Sequence, residues 1–443
     1  MRVKGGSARR TAGSAGGGSQ ESGAAPGRGS AASAPGSVFV SRPGGTLKLG
    51  FVVDTGNPGA VIGADLSSDE DFEREAKTII RNLEAKGGFG GRKVQLVVKK
   101  VDRTNDDADS QRRQHEETCV SLTEDAKVFM AVGIADSFTD GFSCYAKHHT
   151  PVLGWEAANM DNKELAPLAA WVVPPISPVQ DTILKFYPKA LADQGFINKR
   201  MGIVSKDDPA TRRTAATVLI PAIQRLGGKI LDQRYFPATA DGVASQAGGA
   251  VLDFKAKGID RVIVWQVNGG WYGFTLFAER QDYHPRYGLT SFETPQQFID
   301  SLPDGARIPP SQLRGAVGAG WSPDADVRET SYPPTTREKA CWAVVNKGAA
   351  TNYKTRADGL YASRMCQLFG SLRAALAPTV GRTLKASEVV AYFHRLGTSW
   401  VPMAVPKQRF AAGRLDSTAV YRRFAYDEPC DCFKYRSPFL DIP

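Results

Sequence analysis

The stretch Asn82-Leu-Glu-Ala-Lys-Gly-Gly-Phe-Gly-Gly-Arg-Lys-Val-Gln-Leu-Val-Val98 decides how this chain is read. Apolar residues Phe72, Ala76, Ile79, Ile80 and Leu83 recur at three- and four-residue steps, which puts them on one face of a helix. Ser67, Ser68 and Asp69 offer N-cap side chains for that helix, because their oxygens can accept from its unpaired first amides. Gly87 and Gly88 end it, since the residue past a last turn often takes positive φ, which glycine adopts without a Cβ clash. Val94, Leu96 and Val98 then alternate with Gln95 and Val97 as in a strand. Upstream, Leu47-Lys-Leu-Gly-Phe-Val-Val-Asp54 is a short apolar run closed by turn residues. Strand, helix and strand within about fifty residues predict a right-handed parallel crossover. A phosphate-cradling loop follows a strand and opens a helix, whereas these glycines follow a helix and open a strand. They read as a structural cap and not as a nucleotide site.

The alternation continues downstream. A polar, basic helix over about Asp107 to Thr123 leads to the strand Val128 to Val132, and a helix from about Asp140 leads to Thr150 to Gly154. Trp171-Val-Val-Pro-Pro175 is an apolar run broken by two prolines, which predicts a crossing between domains. Beyond it come helix Val179 to Leu191, strand Arg200 to Ser205, helix Thr211 to Leu226 and strand Lys229 to Phe236. Helix Gly242 to Lys257, strand Asp260 to Gln266, helix Trp271 to Gln281 and strand Tyr287 to Ser291 complete the series. Such alternation calls for parallel sheets with helices on both faces, and the proline break favours two sheets over a single long one. From about residue 295 the pattern loosens. Leu313 to Trp321 reads as a strand and Gly359 to Leu376 as a helix stopped by Pro378. Phe410 to Pro443 gives no clear pattern.

A chain of 443 residues can hold two or three domains, each with a proper core. No run of eighteen apolar residues exists, so no transmembrane helix is encoded. The net charge is +10, but residues 1 to 46 carry six basic residues and one acidic one, which is half of it. The rest is too diffuse for a nucleic-acid face, so no nucleic-acid partner is expected. Residues 1 to 45 form a Gly/Ser/Ala tail with too little apolar surface to offset the entropy of ordering it. Its charged start runs into small polar residues, so no signal peptide is visible. A native start elsewhere, removal of the signal or a cytosolic protein would each account for this, and the first two are preferred. Searches for His-Glu-x-x-His, Gly-x-Ser-x-Gly, a P-loop and Gly-x-Gly-x-x-Gly all fail, which argues against an enzyme. No cofactor and no metal site is expected. His148-His149 lacks further ligands, and Cys430-Asp-Cys432 would need two more for zinc, so a disulfide or free thiols are the reading there.

In its order of elements the chain resembles the leucine/isoleucine/valine-binding branch of type I periplasmic solute-binding proteins, over roughly residues 45 to 400. Three places carry the resemblance. Lys86-Gly-Gly-Phe-Gly-Gly-Arg-Lys-Val94 is similar to the family's helix–Gly-Gly–Asn-Gly–strand segment. Val128 to Phe138 is a strand entering a Ser-containing loop, followed by Pro151-Val-Leu153. Lys257-Gly-Ile-Asp-Arg-Val-Ile-Val264 is similar to the Gly-x-Asp-x-Val strand of the second lobe. The resemblance implies an α/β fold of two doubly wound parallel-sheet lobes joined by a multi-strand hinge. Lobe 1 would comprise residues 46–172 plus 294–400, and lobe 2 residues 173–293 plus 401–443. It also implies an extracytoplasmic protein that captures a small polar, amino-acid-like ligand between its lobes for an ABC importer, with an ABC permease as its membrane partner. The alternatives are a ligand sensor on the same fold and, third, an α/β enzyme.

Ligands of open α/β sheets sit at the carboxyl ends of strands. Those ends here supply Asp54 and Asn57, Ser137 and Phe138, and Trp155, Glu156 and Ala158 from lobe 1, with Asn268 and Trp271 from lobe 2. Position by position, Ser137 matches the family's carboxylate-holding hydroxyl. Gly154 to Ala158 matches its ammonium-binding loop, with Ala158 at the hydroxyl position and Glu156 adding a carboxylate. Asn268-Gly-Gly-Trp271 stands where the family carries an acidic partner, so Glu156 replaces that charge or the ligand is neutral and stacks on aromatic rings. The plainer readings are that Trp155, Trp265 and Trp271 pack in the core, Ser137 caps a helix and Glu156 faces solvent. In this fold the helices bearing Cys119 and Cys144 are neighbours, so the resemblance pairs them, and Cys341 and Cys366 flank a helical region and can pair with each other. Six cysteines fit an oxidising compartment.

Overall fold

The helix Phe72–Glu84 buries Phe72, Ala76, Ile79 and Ile80, the face that the spacing selects. It ends as Gly87 and Gly88 take φ of +100° and +64°, and the Gly88 amide donates to the Leu83 carbonyl. This computed structural model describes residues 39–443 apart from 56–71, 103–107, 135, 238–239, 268 and 303–306. The expected N-cap residues Ser67, Ser68 and Asp69 therefore lie outside the described residues. The glycine turn also docks on the far end of the chain. A Cβ on Gly90 (φ +62°) would meet Thr379 Oγ1 at 2.1 Å and the Leu376 carbonyl oxygen at 2.6 Å, so only glycine lets the two backbones approach. Arg92, fully buried beside it, donates to the Gly90 carbonyl and to Thr379 Oγ1, each at 2.9 Å.

Two sheets form the framework. After a short β1 (Val40–Ser41), the strands β2 (Thr46–Thr55), β3 (Lys93–Asp102), β4 (Met130–Gly133) and β5 (Val152–Gly154) lie in the order β3-β2-β4-β5, all parallel. The second sheet holds β6 (Met201–Lys206), β7 (Ile230–Phe236), β8 (Arg261–Trp265), β9 (Arg286–Thr290) and β10 (Val317–Gly320), parallel in the order β7-β6-β8-β9-β10. β11 (Leu384–Lys385) pairs with β1. The C-terminal stretch that showed no pattern supplies β12 (Val420–Asp427), antiparallel to β10, and then β13 (Cys432–Tyr435) and β14 (Leu440–Asp441), both on β12. Each sheet reverses its winding next to its first strand, as doubly wound sheets do. We refer to the units built on the first and second sheets as lobes 1 and 2. Lobe 1 packs Leu49, Phe51, Met130 and Val132 against Met365, Phe369 and Leu372 of the helix Leu360–Leu376. Lobe 2 packs Val262, Val264, Tyr287 and Leu289 against Trp271, Phe274 and Phe424.

Two boundaries differ from the expectation. Residues 401–410, expected in lobe 2, stay with lobe 1, whose core holds Ala404, Val405 and Phe410, and the return to lobe 1 expected at 294 comes later. Residues from 294 were assigned to lobe 1, yet Val317–Gly320 pairs in parallel with β9, and Phe298, Ile299, Leu313, Ala316 and Val327 are buried in the lobe 2 core. The return to lobe 1 comes only before the helix Thr336–Ala349, whose Cys341, Trp342 and Val345 join the lobe 1 core. The four-residue β10, Val-Gly-Ala-Gly, is too short and too small in its side chains to declare its sheet by pattern.

The chain crosses between lobes three times, near residues 172–180, 327–335 and 405–419. The first crossing is the proline-broken run. It is tied to the third by Ser417 N to the Pro175 carbonyl at 2.8 Å, Thr418 Oγ1 to the Ile176 carbonyl at 2.6 Å, and Val179 N to Asp416 Oδ2 at 3.3 Å. Asp416 is nearly fully buried, and desolvation raises its pKa despite the adjacent Arg414. All six cysteines are paired, as Cys119–Cys144, Cys341–Cys366 and Cys430–Cys432.

Candidate functional site

A cleft opens where the carboxyl ends of β5, β9 and β10 face one another across the hinge. Trp155 and Glu156 follow β5, Ser291 and Phe292 follow β9, and Trp321 and Ser322 follow β10. Ile176 and Ser177 of the first crossing floor it, and Tyr361 and Arg364 reach in from the start of the helix Leu360–Leu376. The cavity within it is about 60 Å³. That admits a few water molecules and no solute of amino-acid size, so entry requires the lobes to part.

Polar groups on the lobe 1 side are held by their own loop. Glu156 Oε1 accepts from the Ala157 and Ala158 amides at 3.0 Å and 2.7 Å, and from the Ser177 hydroxyl. This is a turn cap, with the carboxylate turned onto backbone donors. On the lobe 2 side Ser291 Oγ accepts from the Trp321 and Ser322 amides at 2.7 Å and 3.2 Å, which ties the β9 and β10 ends together.

Behind that face lie two buried carboxyls. Glu293 caps its own turn by accepting from Thr290 N at 2.8 Å and from Gln266 N at 3.0 Å, and burial pushes its pKa up to about 7. Asp326 accepts from the Tyr435 hydroxyl at 2.8 Å and from Ser322 N at 3.2 Å, and burial pushes it up to about 8. Desolvation dominates both, and among the described residues neither has a cation against it. Gln266, at φ +62° past the end of β8, buries a side-chain amide that no described residue hydrogen-bonds.

One ion pair spans the cleft. Arg364 Nη2 of lobe 1 lies 2.9 Å from Asp324 Oδ2 of lobe 2, with the two side chains 10% and 5% exposed. The Arg364 guanidinium sits 5.0 Å from the Trp155 ring centroid and 5.7 Å from that of Tyr361.

The sequence-derived candidates divide. Trp155 and Glu156 line the cleft. Ala158 is fully buried, and its amide is taken by Glu156. The suggestion that Glu156 supplies a ligand charge meets the same fact, since its Oε1 already serves three donors of its own surroundings. Trp271 is not a cleft wall: it is fully buried, its Nε1 donates to the Glu293 carbonyl at 2.9 Å, and it packs edge-on to Phe298. Trp271 is the second residue of the helix Gly270–Arg280 and lies on the face that packs into the lobe 2 core. Asp54 ends β2, half-buried. Ser137 and Phe138 lie in the turn Asp136–Gly141 after β4. Asn57 and Asn268 lie outside the described residues. Arg364, Asp324 and Tyr361 were missed because they come from the region where periodicity loosens. The Ser322-Pro323-Asp324 start of a helical turn was the one local signal available.

The sequence profile described as "periplasmic binding protein" matches residues 46–326 of this chain. No curated protein sequence matches it. Among solved structures, a solute-binding protein of an ABC transporter from Rhodopseudomonas palustris BisB5, in complex with 3,4-dihydroxybenzoic acid, is similar with a TM-score of 0.64 at 14% identity, covering 90% of this chain and 98% of that one. The branched-chain amino acid transporter substrate-binding protein of Streptococcus pneumoniae, in complex with isoleucine, gives 0.58 at 14% identity, with 89% and 99% covered. A fatty acid ABC transporter substrate-binding protein from Thermomonospora curvata gives 0.59 at 12% identity, with 91% and 95% covered. The ligands of these three proteins differ widely over one fold, so the fold does not name a ligand. With the profile spanning most of both lobes, the chain belongs to the periplasmic binding protein family, as a two-lobed solute-binding protein of the type I fold.

Proposed function

We propose that this protein captures a small polar solute in the cleft between Trp155, Tyr361 and Arg364 on one side and Ser291, Phe292 and Trp321 on the other, outside the cytoplasm, and delivers it to an ABC permease. The observation that carries this reading is the meeting of strand ends from both lobes across a three-segment hinge. Such a hinge lets the lobes part to admit solute and close to exclude water, which sharpens each hydrogen bond inside. The pairing of all six cysteines supports an oxidising compartment. The proposed role is binding without chemistry.

A thermal-shift screen against amino acids, amides, sugars and aromatic acids tests it. A ligand at a hundred times its Kd stabilises the folded state by about 2.7 kcal/mol, a clear rise in melting temperature. Small-angle scattering would then show the radius of gyration change with ligand. Turnover of any hit would sink the binding-only reading, and no stabilisation by any solute would sink capture itself.

A further inference from the structure

The charges that meet in the cleft bear on what it takes. Among the described residues that line it, Arg364 alone is cationic. Its rings of contact, Trp155 and Tyr361, belong to lobe 1, so its position is set by its own lobe. Its carboxylate partner is not: Asp324 arrives from lobe 2 and completes a buried pair. Aromatic side chains from both lobes line the cleft along with Arg364: Trp155 and Tyr361 from lobe 1, and Phe292 and Trp321 from lobe 2.

Parting of the lobes separates Arg364 from Asp324. Arg364 then remains against its two rings, and Asp324 keeps the Ser322 hydroxyl. The nearby Glu156 carboxylate stays on the Ala157 and Ala158 amides. Because the cavity is only about 60 Å³, a loaded cleft must hold the lobes further apart than they are here.

We propose that Arg364 is the specificity-determining residue of the cleft, taking the carboxylate of a flat, aromatic organic acid in exchange for Asp324. The proposal rests on the solute-capture reading and sharpens it. A guanidinium offers a planar fork that matches a carboxylate, and the four aromatic side chains offer faces and edges to a flat body. Asp324 acts as an internal competitor. A neutral analogue of the same shape fails because it must break a buried ion pair and gives Arg364 no anion in return.

The probes are benzoate and phenylacetate, with benzamide and phenylacetamide as neutral counterparts and leucine as an aliphatic control. Melting temperature and the fluorescence of cleft tryptophans read binding. Both acids are expected to bind, and their amides about thirtyfold more weakly. Arg364→Gln is expected to weaken the acids about a hundredfold, with Arg364→Lys in between because it keeps the charge and loses the fork. Asp324→Asn is expected to tighten the acids about tenfold by removing the competitor. Equal binding of acids and amides overturns the assignment. So does unchanged acid affinity in Arg364→Gln, or weaker acid binding in Asp324→Asn. Should Arg364→Gln fail to fold, Arg364→Lys and Asp324→Asn carry the test. Binding of leucine or the amides without the acids overturns the role of Arg364 and leaves solute capture standing. If none of the five probes binds, the assignment falls, and the broader solute screen decides capture separately.

Discussion

Lobe 1 rests on four parallel strands and carries both long-range disulfides, whereas lobe 2 rests on an eight-stranded sheet and carries only the local Cys430–Cys432 pair. Their buried charges differ in the same sense. Lobe 1 buries a matched pair, with Arg356 Nε 2.8 Å from Glu338 Oε1 and both side chains almost fully buried, and also Arg92, whose described partners are carbonyls and a hydroxyl. Lobe 2 buries Glu293 and Asp326 with hydroxyl and amide partners only. The larger sheet can tolerate two acids held neutral. The difference teaches that the lobes should respond to different stresses: lobe 1 to reductant and lobe 2 to a rise in pH from acid to neutral.

The largest effect expected is from reduction. Cys119–Cys144 and Cys341–Cys366 each span a sequence separation of 25. Each bridge should contribute about 3 kcal/mol, so urea unfolding with reductant should lose about 6 kcal/mol, with lobe 1 amides losing hydrogen-exchange protection first. Equal loss of protection in both lobes would break the comparison. Next in size is Glu338→Gln, which leaves Arg356 buried without its carboxylate and should cost about 4 kcal/mol in chemical denaturation. A cost under about 1 kcal/mol would place that pair among ordinary surface bridges.

The pH response follows. Asp326 and Glu293 have folded-state pKa values raised to about 8 and about 7. Above the unfolded values the unfolded chain ionises while the folded chain keeps its protons, so these groups penalise folding progressively as pH rises. The loss runs from about pH 4 to the folded values and then levels off. Stability should therefore fall between pH 5 and pH 7 and fall less steeply in Asp326→Asn. A flat profile, or one unchanged by Asp326→Asn, would remove the contrast between lobes. The smallest effect expected is from replacing Cys430 and Cys432 by serine. Their separation of 2 closes almost no loop, so the loss should be roughly 1 kcal/mol, seen as a small shift in melting temperature.

Much of lobe 1 was legible because its signals are local. The 72–84 helix face, the glycine cap and the proline break near 174 each depend on residues a few positions apart. Those same signals place strand ends, and hence Trp155 and Glu156 at the cleft. Legibility stopped where position depends on partners far along the chain. Trp271 has the composition of a ligand wall, and only the packing of Phe298 and Tyr287 against it shows that it is core. β10 gives no sign of its sheet until β9 and β12 flank it. Glu156 offers a charge in the sequence, and its loop spends that charge on its own amides.

The sequence by itself determined the βα alternation, the division into two sheets and the turn that joins helix to strand at Gly87 to Gly91, because periodicity and backbone freedom act over a few residues. Only the tertiary structure decided that residues 294–327 belong to lobe 2 and that Arg364 meets Asp324 across the cleft, 40 positions away in sequence. Those outcomes depend on which surfaces must be buried against each other once both sheets exist, and no local preference encodes that choice.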